Sequence, residues 1–348
     1  MKSLVFRGPR DIRCEVVPDP VISSAGSAIV KISKCGICGS DLHPYHVGAP
    51  STGYCIGHEA VGEVVEVGSG VSRFKVGDRV LVAGSVSCGT CEPCRQGRPM
   101  ICRNFPTCRV FGQGMHGLGG CQAEAVEVPV ADFNLHRLPE GISDGLGIMV
   151  ADNLSTAWAC AKLARVRPGS SAAVIGLGAV GLQCVLAAIA MGAERVFAVD
   201  LIADRRDTAA RLGAIPVAAE HALEDIRAAT GGQGVDCVLD AVGTARTAEL
   251  DILAARRGGY VCIVGLPESQ SVPFPLLTGI ARNVSLALAA CSIQVELPEV
   301  FRALETGQLD AGTIESLVTH DLPLSAGPAA YELFDARRDG VKKVLLTP

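Results

Sequence analysis

A stretch near the N terminus carries side chains that together could hold a catalytic metal ion. Cys38 is followed closely by the hydroxyl of Ser40 and the imidazole of His43, and the pair His58-Glu59 comes later in the chain. Catalytic zinc takes three protein ligands and keeps a fourth position open for water or substrate. Cys38 and His58 offer two such ligands, so a third has to come from elsewhere. A lone Cys–His pair is also typical of a reduced cysteine and a surface histidine.

A second metal-binding pattern has tighter spacing. Four cysteines follow C-x2-C-x2-C-x7-C, namely Cys88, Cys91, Cys94 and Cys102. Four thiolates from one lobe can close a tetrahedron without an open position, which is a structural zinc site that contributes to folding rather than to catalysis. Gly89, Pro93 and Gly97 allow the turns that the short gaps require. Thiolates also bind iron–sulfur clusters, so the ligand types alone leave both metals open.

Cysteine usage also bears on the compartment. The chain has fifteen cysteines, and Arg7 interrupts the first apolar run before a secretory signal could form. We therefore expect reduced thiols and a cytoplasmic location, where clustered cysteines bind metals more often than they form disulfides. Cys35 and Cys38 also form a C-x-x-C pair, but they lack the strand–motif–helix context of a thioredoxin-type redox site.

Length, charge and hydropathy disfavour several classes of protein. At 348 residues the chain has room for two domains, and a net charge of −5 without a basic run disfavours a nucleic-acid partner. The segment 170–193 contains no charged residue and is long enough to cross a membrane. However, Gly176, Gly178 and Gly181 interrupt this segment and Gly192 lies near its end. These glycines favour a buried strand, a turn and a helix, and we expect no membrane association.

The same glycines predict a dinucleotide site. A G-x-G-x-x-G motif follows an apolar strand and opens a helix, through Gly176, Gly178, Ala179, Val180 and Gly181. The glycines let the backbone approach a pyrophosphate, and the helix N terminus attracts its charge. Asp200 ends the next strand, nineteen residues after the last glycine. A carboxylate at that place binds the hydroxyls of an adenosine ribose.

The remaining patterns predict two kinds of architecture around these residues. In the first third of the chain, alternating apolar residues predict short strands, at 28–33, 60–67 and 77–82. From about Trp158, strand and helix patterns alternate, with apolar strands at 172–175, 195–199, 235–240 and 260–265. The predicted fold class is therefore α/β, with a β-rich domain and a doubly wound parallel sheet.

Together these motifs resemble a zinc-dependent alcohol dehydrogenase of the medium-chain dehydrogenase/reductase superfamily. The resemblance rests on Cys38-Gly-Ser-Asp-Leu-His43, on Gly57-His58-Glu59, on the four-cysteine lobe and on the glycine motif with Asp200. It implies a GroES-like catalytic domain over 1–152, with the structural zinc lobe at 85–105. A Rossmann domain over 153–288 would interrupt it, and 289–348 would return to the catalytic domain. The active site would lie in the cleft.

The resemblance also implies a ligand set for the catalytic zinc. Cys38 and His58 would bind it, and Asp152 stands where many relatives carry a cysteine as the third ligand. Bacterial secondary-alcohol dehydrogenases and glutathione-independent formaldehyde dehydrogenases similarly have an aspartate there. The alternative for Asp152 is a helix N-cap. Glu59 would lie behind the metal or act as an exchangeable ligand, and Asp41 would orient His58.

The implied chemistry is reversible hydride transfer between an alcohol and NAD. Zinc would lower the pKa of the alcohol hydroxyl, Ser40 would take its proton, and His43 would pass the proton toward solvent. Arg205 would contact the cofactor ribose beside Asp200. The expected cofactors are two Zn²⁺ ions per chain, one catalytic and one structural, together with NAD. The resemblance further implies a homo-oligomer, with a tetramer favoured over a dimer.

The resemblance says less about the substrate than about the type of reaction. Asp152 and three apolar residues expected around the cleft, Leu154, Trp158 and Leu266, favour secondary alcohols and their ketones. A glutathione-independent formaldehyde dehydrogenase or aldehyde dismutase, and a polyol dehydrogenase, are the alternatives within the superfamily. The Cys–His pair disfavours zinc-free quinone reductases. A zinc-ribbon interaction module built on the four cysteines is disfavoured because the acidic chain carries a second, intact zinc motif.

Overall fold

The computed structural model describes residues 1–105, 109–267 and 271–348, which divide into two compact units. The first unit comprises Met1–Asp152, Ser292–Pro298 and Ile314–Pro348, and the second comprises Asn153–Cys291 and Glu299–Thr313. Among the described residues the strands are β1 Lys2–Gly8, β2 Asp11–Val16, β3 Ala28–Ile37, β4 Tyr54–Cys55, β5 Glu59–Val67, β6 Arg79–Val82, β7 Ala125–Val128, β8 Leu135–Arg137, β9 Ser171–Ile175, β10 Arg195–Asp200, β11 Ile215–Ala218, β12 Val235–Asp240, β13 Ala255–Ile263, β14 Ser285–Leu288, β15 Val318–Pro323 and β16 Lys343–Thr347.

Among the described residues, the helices are longer and more numerous in the second unit. In chain order the α-helices of the described residues are α1 Leu42–Val47, α2 Glu92–Arg95, α3 Ala131–Asn134, α4 Asp144–Met149, α5 Ser155–Leu163, α6 Ala179–Ala190, α7 Ala203–Arg211, α8 Ala222–Ala229, α9 Ala245–Ala254, α10 Leu276–Arg282, α11 Ile293–Glu305, α12 Ala311–Glu315 and α13 Gly327–Asp335. A π-helical turn, Val150–Leu154, lies between α4 and α5.

The first unit is built on a mostly antiparallel sheet, in which only β15 and β16 pair in parallel among the described strands, and the candidate metal ligands lie at one edge of it. Its seven strands run in the order β15-β16-β3-β5-β6-β8, with β7 also paired to β3, and a separate sheet has the order β2-β1-β4. The register of β3 and β5 places Gly36 opposite Glu59, and β16 places Leu345 opposite Gly36 on the other side. Cys38 and His58 therefore leave neighbouring strands at the same edge, beside the strand that closes the chain.

The second unit is a doubly wound parallel sheet. Its strand order is β11-β10-β9-β12-β13-β14, and every neighbouring pair is parallel. The order reverses between β9 and β12, the place where ligands bind in such sheets. All five residues of β9 are buried. Parallel sheets covered on both faces have such continuous apolar strands.

The uncharged segment 170–193 is strand β9, the glycine turn and helix α6, as its glycines predicted. Helix α6 has twelve residues. Within the described part of the chain, no helix is long and apolar enough to span a membrane.

The last sixty residues cross between the two units more than once. The chain returns to the first unit at Ser292, close to the predicted boundary of 289, leaves it after Pro298 within helix α11, and returns at Ile314. At the start of α11, Gln294 donates to the carbonyl oxygen of Ser85 at 2.9 Å. Farther along, Glu299 accepts from the indole N–H of Trp158 at 3.0 Å. Residues 293–298 of the helix thus belong to the first unit and residues 299–305 to the second, and these two side chains each have a partner in their own unit.

Candidate active site

Three predicted zinc ligands converge in the first unit. Cys38 leaves the end of β3, His58 comes directly before β5, and Asp152 lies in the π-helical turn. The Cys38 Sγ atom is 3.4 Å from Asp152 Oδ2, and His58 Nε2 is 3.5 Å from the same oxygen. Ligand atoms of these three residues and Glu59 all lie within 4.8 Å of one another. π-Helical turns are frequent at functional sites, and here the turn carries a side chain of the cluster.

The second ring nitrogen of His58 is fixed by a chain of buried polar groups. His58 Nδ1 lies 3.1 Å from Asp41 Oδ1. The other oxygen of Asp41 accepts from the backbone N–H of Cys38 at 3.0 Å and from the side-chain amide of Gln122 at 3.1 Å. Tyr331 in turn donates to Gln122 Oε1 at 2.8 Å. A carboxylate on one nitrogen of histidine directs the other nitrogen toward a metal, so Asp41 stands where such an orienting group is needed.

The electrostatics of the cluster suit a bound cation. Burial raises the pKa of the Cys38 thiol, and the nearby carboxylates of Asp152 and Glu59 raise it further. Burial opposes the charge of His58, but the Asp41 and Asp152 carboxylates outweigh it and raise the pKa of His58 well above its usual value. Burial also opposes the charge of Asp152, yet His58 holds the pKa of that carboxyl below its usual range. A thiol, an imidazole and a carboxylate in this setting form a donor set that fits zinc.

Glu59 has a buried partner that sequence reasoning missed. Lys343, in strand β16, donates to the Glu59 carboxylate, and both side chains are fully buried. Burial raises the pKa of Glu59, against the charge of Lys343. The sequence signal available was a lysine pair interrupting an otherwise apolar closing strand. The sequence around Gln122 and Tyr331 gives no comparable signal, because these residues reach the site only when distant segments come together in the folded chain.

The two predicted proton-relay residues lie on consecutive helical segments. Ser40 is half-buried in the short 3₁₀ turn Gly39–Asp41, and its Oγ is 3.5 Å from His58 Nε2. His43 follows in α1 and is also half-buried. The structure therefore brings Ser40 to the cluster and sets His43 one helical turn farther along the chain.

The four predicted lobe cysteines form a second cluster in the first unit. Their Sγ atoms lie within 4.8 Å of one another, with Cys91–Cys94 at 3.4 Å and both Cys88–Cys94 and Cys91–Cys102 at 3.9 Å. Sulfurs about 2.3 Å from a tetrahedral zinc would be about 3.8 Å apart. The spacing of the sulfurs therefore fits one metal ion held by four thiolates.

Hydrogen-bond donors around the lobe favour the thiolate form of Cys88. The Cys88 sulfur accepts from the N–H groups of Thr90 at 3.4 Å and Cys91 at 3.3 Å, and from the amide of Asn104 at 3.3 Å. Burial opposes ionisation, but the hydrogen bonds from Thr90 and Cys91 lower the pKa of Cys88 to about 6. Donors that point at the sulfur stabilise the form that binds metal.

In the second unit, the three motif glycines have three different environments. Gly176 has φ +82°, and a β-carbon there would lie 2.2 Å from Val242. A β-carbon at Gly181 would lie 1.7 Å from the carbonyl oxygen of Gly176. Gly178, the residue before α6, would meet nothing within 4 Å. Packing thus explains the first and third glycines, whereas the bare backbone at Gly178 leaves the space that a pyrophosphate needs.

Asp200 ends strand β10 and lies beside this turn. Its Oδ2 accepts from the N–H of Leu177 at 2.7 Å, and its Oδ1 accepts from the N–H of Ile202 at 2.8 Å. Arg205 Nη1 is 3.9 Å from Asp200 Oδ2. Ala179 and Val180 are the first two residues of helix α6, directly after Gly178 of the glycine turn. The carboxylate is thus anchored by backbone donors and keeps lone pairs for a ribose hydroxyl.

The three apolar residues expected around the cleft have different environments. Leu154 is buried, whereas Leu266 is 59% exposed. Trp158 bonds Glu299 and lines a cavity of about 300 Å³ in the second unit, together with Arg302. The surroundings of the tryptophan therefore include charged groups.

Known proteins show the same two-part organisation. Residues 24–140 match the alcohol dehydrogenase GroES-like domain, and residues 179–306 match the zinc-binding dehydrogenase domain. A probable zinc-binding alcohol dehydrogenase of Mycobacterium tuberculosis is 39% identical to the chain, covering 100% of this chain and 89% of that relative. The chain belongs to the zinc-binding alcohol dehydrogenase family. It is therefore an oxidoreductase that acts on alcohols, with the GroES-like and Rossmann architecture that the motifs predicted.

Other relatives of this alcohol dehydrogenase bear on its fold and cofactor. The structure of an alcohol dehydrogenase from Thermus sp. ATN1 superposes with a TM-score of 0.92 at 38% identity, covering 100% of this chain and 99% of that one. An alcohol dehydrogenase from Escherichia coli CFT073, solved in complex with the cofactor NADH, has a TM-score of 0.85 at 26% identity, covering 100% and 99%. A sorbitol dehydrogenase of Bacillus subtilis is 34% identical, covering 78% of this chain and 77% of that relative.

Proposed function

We propose that this alcohol dehydrogenase uses NAD to oxidise a secondary alcohol to a ketone, at a zinc ion held by Cys38, His58 and Asp152. The observation that carries the proposal is the convergence of these three side chains, with Cys38 Sγ and His58 Nε2 at 3.4 and 3.5 Å from one oxygen of Asp152. Three protein ligands are the number that a catalytic zinc site uses, which leaves a position for the substrate oxygen.

The residues around the cluster have separate tasks in this proposal. A zinc ion bound there supplies the Lewis acidity that makes an alcohol hydroxyl easier to deprotonate. Asp41 holds His58 in one tautomer by accepting at Nδ1. Ser40, whose Oγ lies beside His58 Nε2, takes the hydroxyl proton, and His43 passes it toward solvent. Glu59 and Lys343 form the buried wall behind these groups.

The four-cysteine lobe adds a second zinc ion per chain, with a structural role. The separations of its sulfurs and the N–H groups directed at Cys88 support this assignment. Four thiolates leave no position for a substrate, so this ion contributes folding energy. The proposed count is therefore two Zn²⁺ per chain.

NAD, rather than NADP, is the proposed cofactor. The anchored carboxylate of Asp200 accepts hydrogen bonds from ribose hydroxyls and repels a 2′-phosphate. Arg205 contributes a basic group beside the same ribose. We expect Asp200→Gly to lower kcat/KM for NAD and to raise it for NADP. Steady-state kinetics with both cofactors measure the effect, and equal kcat/KM values for the two cofactors in the unaltered enzyme would contradict it.

The substrate class follows from the third ligand and has one rival. An aspartate in place of cysteine favours secondary alcohols, whereas the similarity to a sorbitol dehydrogenase favours polyols. A polyol dehydrogenase is therefore the second candidate, and a formaldehyde dehydrogenase or dismutase remains the third.

A substrate panel separates these candidates. NADH formation is measured with a medium-length secondary alcohol, a cyclic alcohol, sorbitol and formaldehyde at equal enzyme concentration. The proposal predicts the highest kcat/KM for a secondary or cyclic alcohol. A higher value for sorbitol would assign the enzyme to the polyols, and formaldehyde turnover without net NADH would assign it to the dismutases. No NADH with any of them would overturn the proposal.

The enzyme is further proposed to be a homo-oligomer, with a tetramer favoured over a dimer. Strand β14 ends the order of the parallel sheet, and large apolar side chains on α10 and β14 are exposed: Leu276 64%, Leu277 79%, Ile280 66% and Leu288 73%. Exposed sheet edges and contiguous apolar surface are typical of association sites. Light scattering of the purified protein gives the molecular mass, and a monomer at micromolar concentration would exclude this assignment.

A further inference from the structure

The ion pair between Lys343 and Glu59 lies deep in the first unit. Both side chains have 0% exposure, and the Lys343 ammonium group also donates to the carbonyl oxygen of Ile37 at 3.2 Å. Removing two charges from water costs much of what their attraction returns, so a buried ion pair is weak evidence for a stabilising role. Its position beside the metal-ligand cluster indicates a role for it there.

Strand β3 leaves room for this pair. A β-carbon at Gly36 would lie 2.0 Å from Glu59 Oε2, 2.9 Å from Ile148 Cγ2 and 3.1 Å from Lys343 Cε. Gly36 is not among the residues with positive φ, so backbone conformation does not demand glycine there. Glycine inside a strand marks a place where another group approaches closely. Here the approaching groups are the two members of the ion pair.

The Glu59 carboxylate lies within reach of the proposed metal. Its oxygen belongs to the set of ligand atoms that lie within 4.8 Å of one another with those of Cys38, His58 and Asp152. Carboxylates bind zinc at about 2.0–2.2 Å, and the site has one position beyond its three protein ligands. Glu59 is therefore a competitor for the position that the substrate oxygen needs.

We propose that Lys343 is a positioning residue that holds Glu59 off the metal and so reserves the fourth position for the alcohol. The proposal rests on the proposed zinc site of Cys38, His58 and Asp152. The charges are consistent with it, because the Cys38 thiolate and the Asp152 carboxylate balance Zn²⁺, and Lys343 balances Glu59. With the lysine charge removed, the nearest cation for Glu59 is the metal.

Replacing Lys343 by methionine tests the proposal, because methionine keeps the length of the chain and removes the charge. An internal ligand at the fourth position competes with the alcohol, so KM for the alcohol rises by about tenfold or more while kcat falls by less than about threefold. The same ligand slows zinc release to a chelator.

Adding Glu59→Gln to Lys343→Met removes the competing carboxylate and lowers KM again. Lys342→Met is the matched control, since the Lys342 ammonium group bonds Gly340.

A purely structural role gives a different pattern. Loss of folded enzyme lowers kcat at unchanged KM, and the added Glu59→Gln then does not restore KM; either result would overturn the proposal. The crystal structure of the unaltered, zinc-loaded enzyme tests it even where Lys343→Met does not fold. In that structure we expect the Glu59 carboxylate to remain bonded to Lys343, with both of its oxygens more than about 3 Å from zinc. A bond of about 2.0–2.2 Å between a Glu59 oxygen and zinc would contradict the proposal. Zinc absent from Cys38 and His58 in that structure would instead refute the proposed function.

Discussion

The two metal-ligand clusters of the first unit are built in opposite ways. The four lobe cysteines come from one short stretch, 88–102, and their neighbours are N–H and hydroxyl donors directed at sulfur. The ligands of the other cluster come from three segments, with Cys38 and Asp152 114 positions apart, and their neighbours are carboxylates and a buried lysine. A closed site can be made by a loop, whereas an open reactive site needs the fold to supply and balance its charges.

The largest effect is expected from the ligand that only the fold supplies. Asp152→Ala removes one of three ligands, so kcat/KM falls by about a thousandfold or more and one zinc equivalent is lost. NAD binding, measured by fluorescence titration, remains because the glycine turn lies in the second unit. Asp144→Ala is the matched control, since Asp144 pairs with the partly exposed Arg79. Full activity in Asp152→Ala would show that this aspartate is not a zinc ligand.

The lobe is expected to affect stability more than chemistry. Cys94→Ser removes one of four thiolates, and loss of the ion lowers the thermal unfolding midpoint by roughly 10 °C. Cys14→Ser is the control, because Cys14 is a half-buried thiol outside both clusters. Differential scanning calorimetry and metal analysis of the two variants measure the effect. If Cys94→Ser loses the metal ion but keeps its thermal unfolding midpoint, the ion in the lobe does not have a structural role.

A smaller effect is expected when the carboxylate that orients the histidine ligand is replaced. Asp41→Asn keeps the size of the side chain but removes the charge that orients His58. Such changes typically weaken metal binding by about 10–100-fold. Competition with a chromophoric chelator gives the zinc affinity of each cluster. The lobe affinity stays unchanged, and equal affinities of variant and parent at the open cluster would exclude an orienting role for Asp41.

The same contrast explains what the sequence could predict. The lobe and the glycine turn are local, so residue spacing alone located all four cysteines and the three glycines. Asp152 was found only through resemblance to relatives, because no spacing rule connects it to Cys38. Lys343 and Gln122 were not found at all. Their contacts depend on the register of β16 beside β3 and on a loop far from both in sequence, and neither leaves a periodic pattern.

The chain boundaries show the same limit. The parallel sheet of the second unit could be predicted from its alternating strands and helices. The assignment of helix α11 could not, because its Gln294 and Glu299 side chains have partners in different units. Polar contacts between distant segments decide such a boundary, and hydropathy does not record them.

Chelation of the purified enzyme, with zinc content and activity followed in the same sample, tests the central difference between the two clusters most directly. The account predicts close to two zinc equivalents per chain at the start. Activity is then lost in step with the first equivalent, from the open cluster, while the protein stays folded. The second equivalent leaves only with unfolding of the lobe, because its four ligand positions are closed. A single equivalent, iron in place of zinc, or activity that persists until the second equivalent leaves would contradict it.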